Sequence, residues 1–177
     1  MQRSQGGRMT LEEAIKTAIE YEIRIRDLYV ESAAKASDSV GRRIFQTLGD
    51  DEQRHVDYLK GRLEIWQKTG KLKVEKLESI IPSRETILKE VGKLEERMAR
   101  DDLKDEKQML SKALKVEVET SNFYQKMVDE MPGEGRQMFA RFLEIEAAHI
   151  NAVQAELDYI SKTGYWFDFK EFDMEDF

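Results

Sequence analysis

Cysteine is absent from the 177 residues, which rules out disulfides, zinc fingers, iron–sulfur clusters and thiol nucleophiles at once. Proline occurs twice, at Pro82 and Pro132, so long uninterrupted helices are permitted. No apolar run approaches the length of a membrane span and no signal-peptide pattern opens the chain, from which we expect a soluble cytoplasmic protein without a membrane partner. Basic residues are outnumbered, giving a net charge of −7; no basic stripe compensates, so nucleic acid is not expected as a partner. Histidine, too, occurs only twice.

What is abundant is charge of both signs, 37% of the chain beside 40% hydrophobic residues, a balance that suits long helices with solvated faces around one core. Residues 1–9 read as a flexible leader. Thr10 with Glu13 forms a capping box that opens a first helix to about residue 35, with Leu11, Ile15, Ala18, Ile25 and Tyr29 on one stripe. A turn over 36–41 leads to a second helix from about Gly41 to Lys68, stopped at Thr69-Gly70. Residues 70–103 form a crossover, irregular to Pro82 and then helical over about 83–100. A third long helix spans about 104–131, Met131-Pro-Gly-Glu-Gly135 reads as a turn, and a fourth helix runs from about 136 to 161. The aromatic and acidic segment 162–177 reads as a tail folded back over the bundle, with a dimer contact or electron-donor docking patch as the functional alternative. The expected fold is all-α: two similar helical hairpins forming a four-helix bundle over residues 10–161.

Both histidines close the same motif, Glu52-Gln-Arg-His55 and Glu146-Ala-Ala-His149, offset by 94 residues (55 to 149). Each motif follows a glutamate with a tyrosine seven residues later, Glu22 to Tyr29 and Glu117 to Tyr124. The halves therefore repeat one helical hairpin. Glu22 falls within the apolar stripe of its helix whereas Glu20 faces away, and Glu117 and Glu119 divide in the same manner. Glu and His at i and i+3 share a helix face. Glu22, Glu52, His55, Glu117, Glu146 and His149 are thus expected to point inward together.

Four ionised carboxylates in one core would each cost several kcal/mol to desolvate and would repel one another. Two divalent cations balance them. The expected metal ligands are these six residues, each Glu-x-x-His giving one metal an oxygen and a nitrogen, with Glu22 and Glu117 completing or bridging the pair. Tyr29 and Tyr124 are expected to donate to carboxylates and orient them.

At these residues the chain resembles the ferritin-like superfamily and, within it, the rubrerythrin-type proteins, over roughly 10–161. The resemblance implies that the six residues hold two iron ions, cycling between Fe2+ and Fe3+, and that the protein reduces hydrogen peroxide or dioxygen as an oxidoreductase. It implies a ferritin-like bundle with a long crossover. The absence of Cys-x-x-Cys removes the rubredoxin module of full-length rubrerythrins, so electrons are expected from an external donor protein such as a rubredoxin. Rubrerythrins carry a further glutamate one turn after the third-helix ligand; here that position is Thr120, and the remaining set looks like the symmetric centre of bacterioferritins, which oxidise ferrous iron. Ferroxidase or iron-storage activity is the alternative, and a metal-stabilised structural or partner-binding bundle a third reading. Manganese or a mixed metal pair suits the same ligands. A homodimer or higher homo-oligomer is expected.

Overall fold

A computed structural model describes residues 7–94 and 103–169. It is all-helical, with no strand among the described residues: α1 is Leu11–Lys35, α2 Ser39–Thr69, α3 Arg84–Leu94, α4 Lys104–Glu130 and α5 Gly133–Thr163. Residues 1–6 of the expected leader, 95–102 of the crossover and 170–177 of the tail lie outside the described residues. None of the helices is long and apolar enough to cross a membrane among the residues described.

Local chemistry sets the helix ends. Thr10 Oγ1 accepts from the Glu13 amide at 3.2 Å while the Glu13 carboxylate accepts from the Thr10 amide at 2.8 Å, the reciprocal box that satisfies two orphan donors. Asp38 caps α2 by accepting from the amides of Val40 and Gly41, which starts that helix at Ser39 rather than near Gly41. Gly70 (φ 66°) and Gly164 (φ 74°) close α2 and α5 in the left-handed conformation, where a side chain would be strained. The turn expected over 131–135 is shorter than the sequence suggests. Pro132 sits at the N-cap of α5 and Gly133 is already its first residue, because the amide that proline lacks is one the helix start does not need.

Connections of two or three residues join α1 to α2 and α4 to α5, so each pair packs side by side, and α1 also packs on α4. Ile15, Ala18, Ile25 and Tyr29 are buried as the stripe on α1 requires, and Glu20 is exposed. On α4 the buried face is turned slightly from the expected one: Ala113, Val116, Thr120, Phe123 and Met127 lie inside, while Leu114, Ser121 and Val128 are half-buried. Glu117 is fully buried on either reading.

The described part of the tail packs as core. Trp166, Phe167 and Phe169 are buried in the apolar cluster that contains Tyr29, Phe45 and Ile160. The Phe167 amide donates to Glu156 at 3.1 Å, and Arg43 pairs with Asp168. Gly41 makes room for Trp166: a Cβ built there would lie 2.4–2.7 Å from three atoms of the indole ring. Alanine is the better helix former by about 1 kcal/mol, yet overpacking costs roughly 1–3 kcal/mol. Gly41→Ala is therefore expected to lower the urea midpoint, by a net loss of up to about 2 kcal/mol; a higher midpoint would show that the segment does not hold this seat.

Candidate metal centre

Four helices each carry ligand groups to one point in the core. Glu22 comes from α1, Glu52 and His55 from α2, Glu117 from α4, and Glu146 and His149 from α5, and all six are 0% exposed. On each helix the ligand is flanked by the apolar residues that bury its face, Ala18 and Ile25 around Glu22 and Ala113 and Phe123 around Glu117. Helical spacing thus fixes which carboxylates must leave water.

The six residues fall into two overlapping groups whose ligand atoms lie within 4.8 Å of one another: Glu22, Glu52, His55 and Glu146, and Glu52, Glu117, Glu146 and His149. Glu52 and Glu146 belong to both. The shared carboxylates are therefore those of the Glu-x-x-His motifs, while Glu22 and Glu117 each serve one group, an assignment that the spacing left open. His55 Nδ1 lies 2.9 Å from Glu52 Oε2 and 3.1 Å from Glu22 Oε2. His149 Nδ1 lies 2.7 Å from Glu52 Oε1. The two imidazoles stack with centroids 5.3 Å apart and planes 15° from parallel.

The tyrosines cross between the hairpins. Tyr29 of α1 donates to Glu117 of α4, and Tyr124 of α4 donates to Glu22 of α1. Each glutamate that belongs to one group thus has its carboxylate held by a phenol from the opposite helix. Burial, reinforced by the neighbouring carboxylates, raises both phenol pKa values well above the ordinary range, so they remain donors at any physiological pH.

Several polar atoms in this interior have no hydrogen-bond partner: both oxygens of Glu146, Glu117 Oε2 and His55 Nε2. A buried carboxylate with neither oxygen satisfied is a costly arrangement for a group with only structural duties. Without a cation the charges are relieved by protons. Burial and then Glu52 push the Glu22 pKa up to about 8, and burial with Glu22 and Glu117 raises that of Glu146. For Glu52 burial also acts upward, but His149 and His55 outweigh it and the net shift is down. Burial acts to lower the His55 pKa; Glu52 and Glu22 overcome it and raise the value to about 10. His149 is raised likewise, against burial, chiefly by Glu52. Protons thus stand where cations would, and the oxygen-rich set with one nitrogen per group fits a pair of hard or borderline divalent ions. These buried groups could hold a metal ion.

One member escaped the sequence reading. Asp51 is fully buried. Its Oδ2 accepts from Ser79 Oγ at 2.6 Å and lies 2.9 Å from His149 Nε2; its Oδ1 accepts from the Ile80 amide at 3.2 Å. Asp51, His55 and His149 also form a compact group, but the carboxylate is already bonded on both oxygens and faces the nitrogens opposite those near the glutamates. It holds the His149 ring in its orientation. Its place four residues before His55 was the available signal. Its main partner, however, is on another helix, which spacing along one helix does not reveal.

Comparison with protein-family models, with curated proteins and with solved structures yields no match.

Proposed function

We propose that this chain is a ferritin-like di-iron carboxylate protein of the rubrerythrin type, an oxidoreductase that reduces hydrogen peroxide or dioxygen with electrons from a separate donor protein. The observation that carries the reading is the pair of overlapping ligand groups sharing Glu52 and Glu146, with both Glu146 oxygens unpartnered. Two hairpins, a crossover between α2 and α4, and ligands from four helices are the arrangement such centres use. Glu22, Glu52, His55 and Glu146 would hold one ion and Glu52, Glu117, Glu146 and His149 the other, with manganese as a substitute for either.

When bound, a pair of iron ions supplies one electron from each, the two that cleavage of an O–O bond consumes. The protein's own residues provide the setting. Tyr29 and Tyr124 keep Oη protons directed at Glu117 and Glu22. Phe142, fully buried and 5.5 Å edge-on from His55 between ring centroids, covers the His55 imidazole. The carboxylates cancel the added positive charge.

Adding hydrogen peroxide to anaerobic, Fe2+-loaded protein tests the reading. One peroxide should be consumed per two irons, faster than by free Fe2+ at the same concentration, and Glu146→Gln should abolish the difference. Consumption no faster than by free Fe2+, or unaffected by that substitution, would contradict it.

Thr120 favours a second reading. It stands one turn beyond Glu117, and its hydroxyl donates to the Val116 carbonyl of its own helix at 2.9 Å, so it adds no ligand. A six-residue set suits ferroxidase activity as well, with iron sequestration as its purpose. Mass in solution separates the two: a homodimer or small oligomer accords with the oxidoreductase, and a large hollow particle with storage.

A further inference from the structure

The repeat is broken at the residue before each Glu-x-x-His motif. Asp51 precedes Glu52, whereas Ile145 precedes Glu146 at the same 94-residue offset (51 to 145). Among the described residues, a single carboxylate therefore stands behind the two imidazoles. It lies 2.9 Å from His149 Nε2 but 3.7 Å from His55 Nε2, and the latter atom is buried without a hydrogen-bond partner.

What determines this choice lies outside the helices. The segment between α2 and α3 has no regular structure, but it is tied down along its length. Arg62 Nη1 donates to the Lys73 carbonyl at 2.6 Å, Tyr58 Oη to the Glu75 carbonyl at 2.7 Å, and Arg141 Nε to the Leu77 carbonyl at 3.0 Å. At its end Ser79 Oγ and the Ile80 amide grip the two oxygens of Asp51, and Ser79 Oγ in turn accepts from the Ile81 amide at 3.1 Å. Both Asp51 oxygens are thereby committed, and the carboxylate cannot swing toward His55.

We propose that Ser79 is a positioning residue for one of the two metal positions. Through Asp51 it fixes the ring of His149, leaves that of His55 unsupported, and so makes the His149 position the tighter of the two. The inference rests on the metal-centre reading above. An imidazole whose distal N–H is held by a carboxylate is a more basic and better oriented ligand, and losing such a partner weakens metal affinity by about 10–100-fold.

Zn2+ serves as the probe, being redox-inert and diamagnetic. Calorimetric titration of the full chain should resolve two binding steps. Ser79→Ala should weaken the tighter step about tenfold and leave the other within about twofold, and Ser79→Thr, which keeps the hydroxyl, should restore it. A merely structural role would weaken both steps together, and that result, or no change in either, overturns the proposal. So would two equal steps in the unaltered protein. In the Zn2+-loaded wild-type chain, proton NMR should show a single slowly exchanging imidazole N–H, assigned to His149; two equivalent signals, or one from His55, would also overturn it, whether or not the variants fold. Binding of fewer than two Zn2+ by the unaltered protein would instead refute the metal-centre reading itself.

Discussion

Glu52→Ala is expected to empty both metal positions together and to destabilise the metal-free chain by about 3–5 kcal/mol. Glu52 lies within 3 Å of both imidazoles, at 2.9 Å from His55 Nδ1 and 2.7 Å from His149 Nδ1. It belongs to both ligand groups, so its loss cannot be confined to one ion. In the metal-free protein it is the principal anion that keeps both histidines charged, and removing it leaves two buried cations with weaker partners. Glu20→Ala, on the exposed side of α1, should change stability by no more than about 0.5 kcal/mol. Metal analysis beside urea unfolding checks both variants. A Glu52→Ala protein that retains one tightly held ion would show that the carboxylate is not shared.

The second large effect is a pH dependence that reverses the usual expectation for an acidic protein. Glu22, with its folded pKa raised to about 8, and Glu146, also raised, bind more protons folded than unfolded above the ordinary carboxylate range. Stability from these groups is present at low pH and falls as pH rises through their folded values. His55, raised to about 10, and His149, raised as well, act in the same direction. Their contribution is complete below about pH 6.5 and is lost toward the alkaline side. Glu52 has the opposite sign: its pKa is lowered, so its contribution is lost only in acid. The metal-free protein should therefore be most stable near pH 5 and lose on the order of a few kcal/mol by pH 10.

Metal should abolish that slope, because ligands must be deprotonated to bind. Uptake of two ions near pH 7 should release about four protons, one each from Glu22, Glu146, His55 and His149. At a free-metal concentration 1,000 times the dissociation constant, each site should add about 4 kcal/mol. Thermal melting from pH 5 to 10 with and without metal, together with proton release measured in weak buffer, provides the check. A metal-free stability that rises from pH 5 to 8 would contradict the charge arrangement.

The inward-facing glutamates and histidines were legible because burial and spacing are properties of single helices. Glu22 lies among Ala18, Ile25 and Tyr29, and Glu20 does not; that contrast alone separates a core carboxylate from a surface one. Recurrence of the motif at one offset supplied the pairing. Which carboxylates are shared was not legible, since it depends on the relative heights of four helices. Asp51 was hidden for a related reason: its partners are His149 on α5 and Ser79 on a segment without periodicity. The C-terminal aromatics could be read either as a cover over the bundle or as a contact surface; that Trp166 lies against Gly41 is a matter of shape, which a helical wheel does not record. At α5 the cluster of proline and glycine pointed to a longer turn than the chain makes, because residues that break a helix interior are harmless at its first turn.

Anomalous scattering from crystals of the chain grown with Mn2+ tests the central claim most directly. Two peaks are expected in the core, both flanked by Glu52 and Glu146, one also by Glu22 and His55 and the other by Glu117 and His149. A core without metal, or a lone ion bound only by surface carboxylates, would contradict the account.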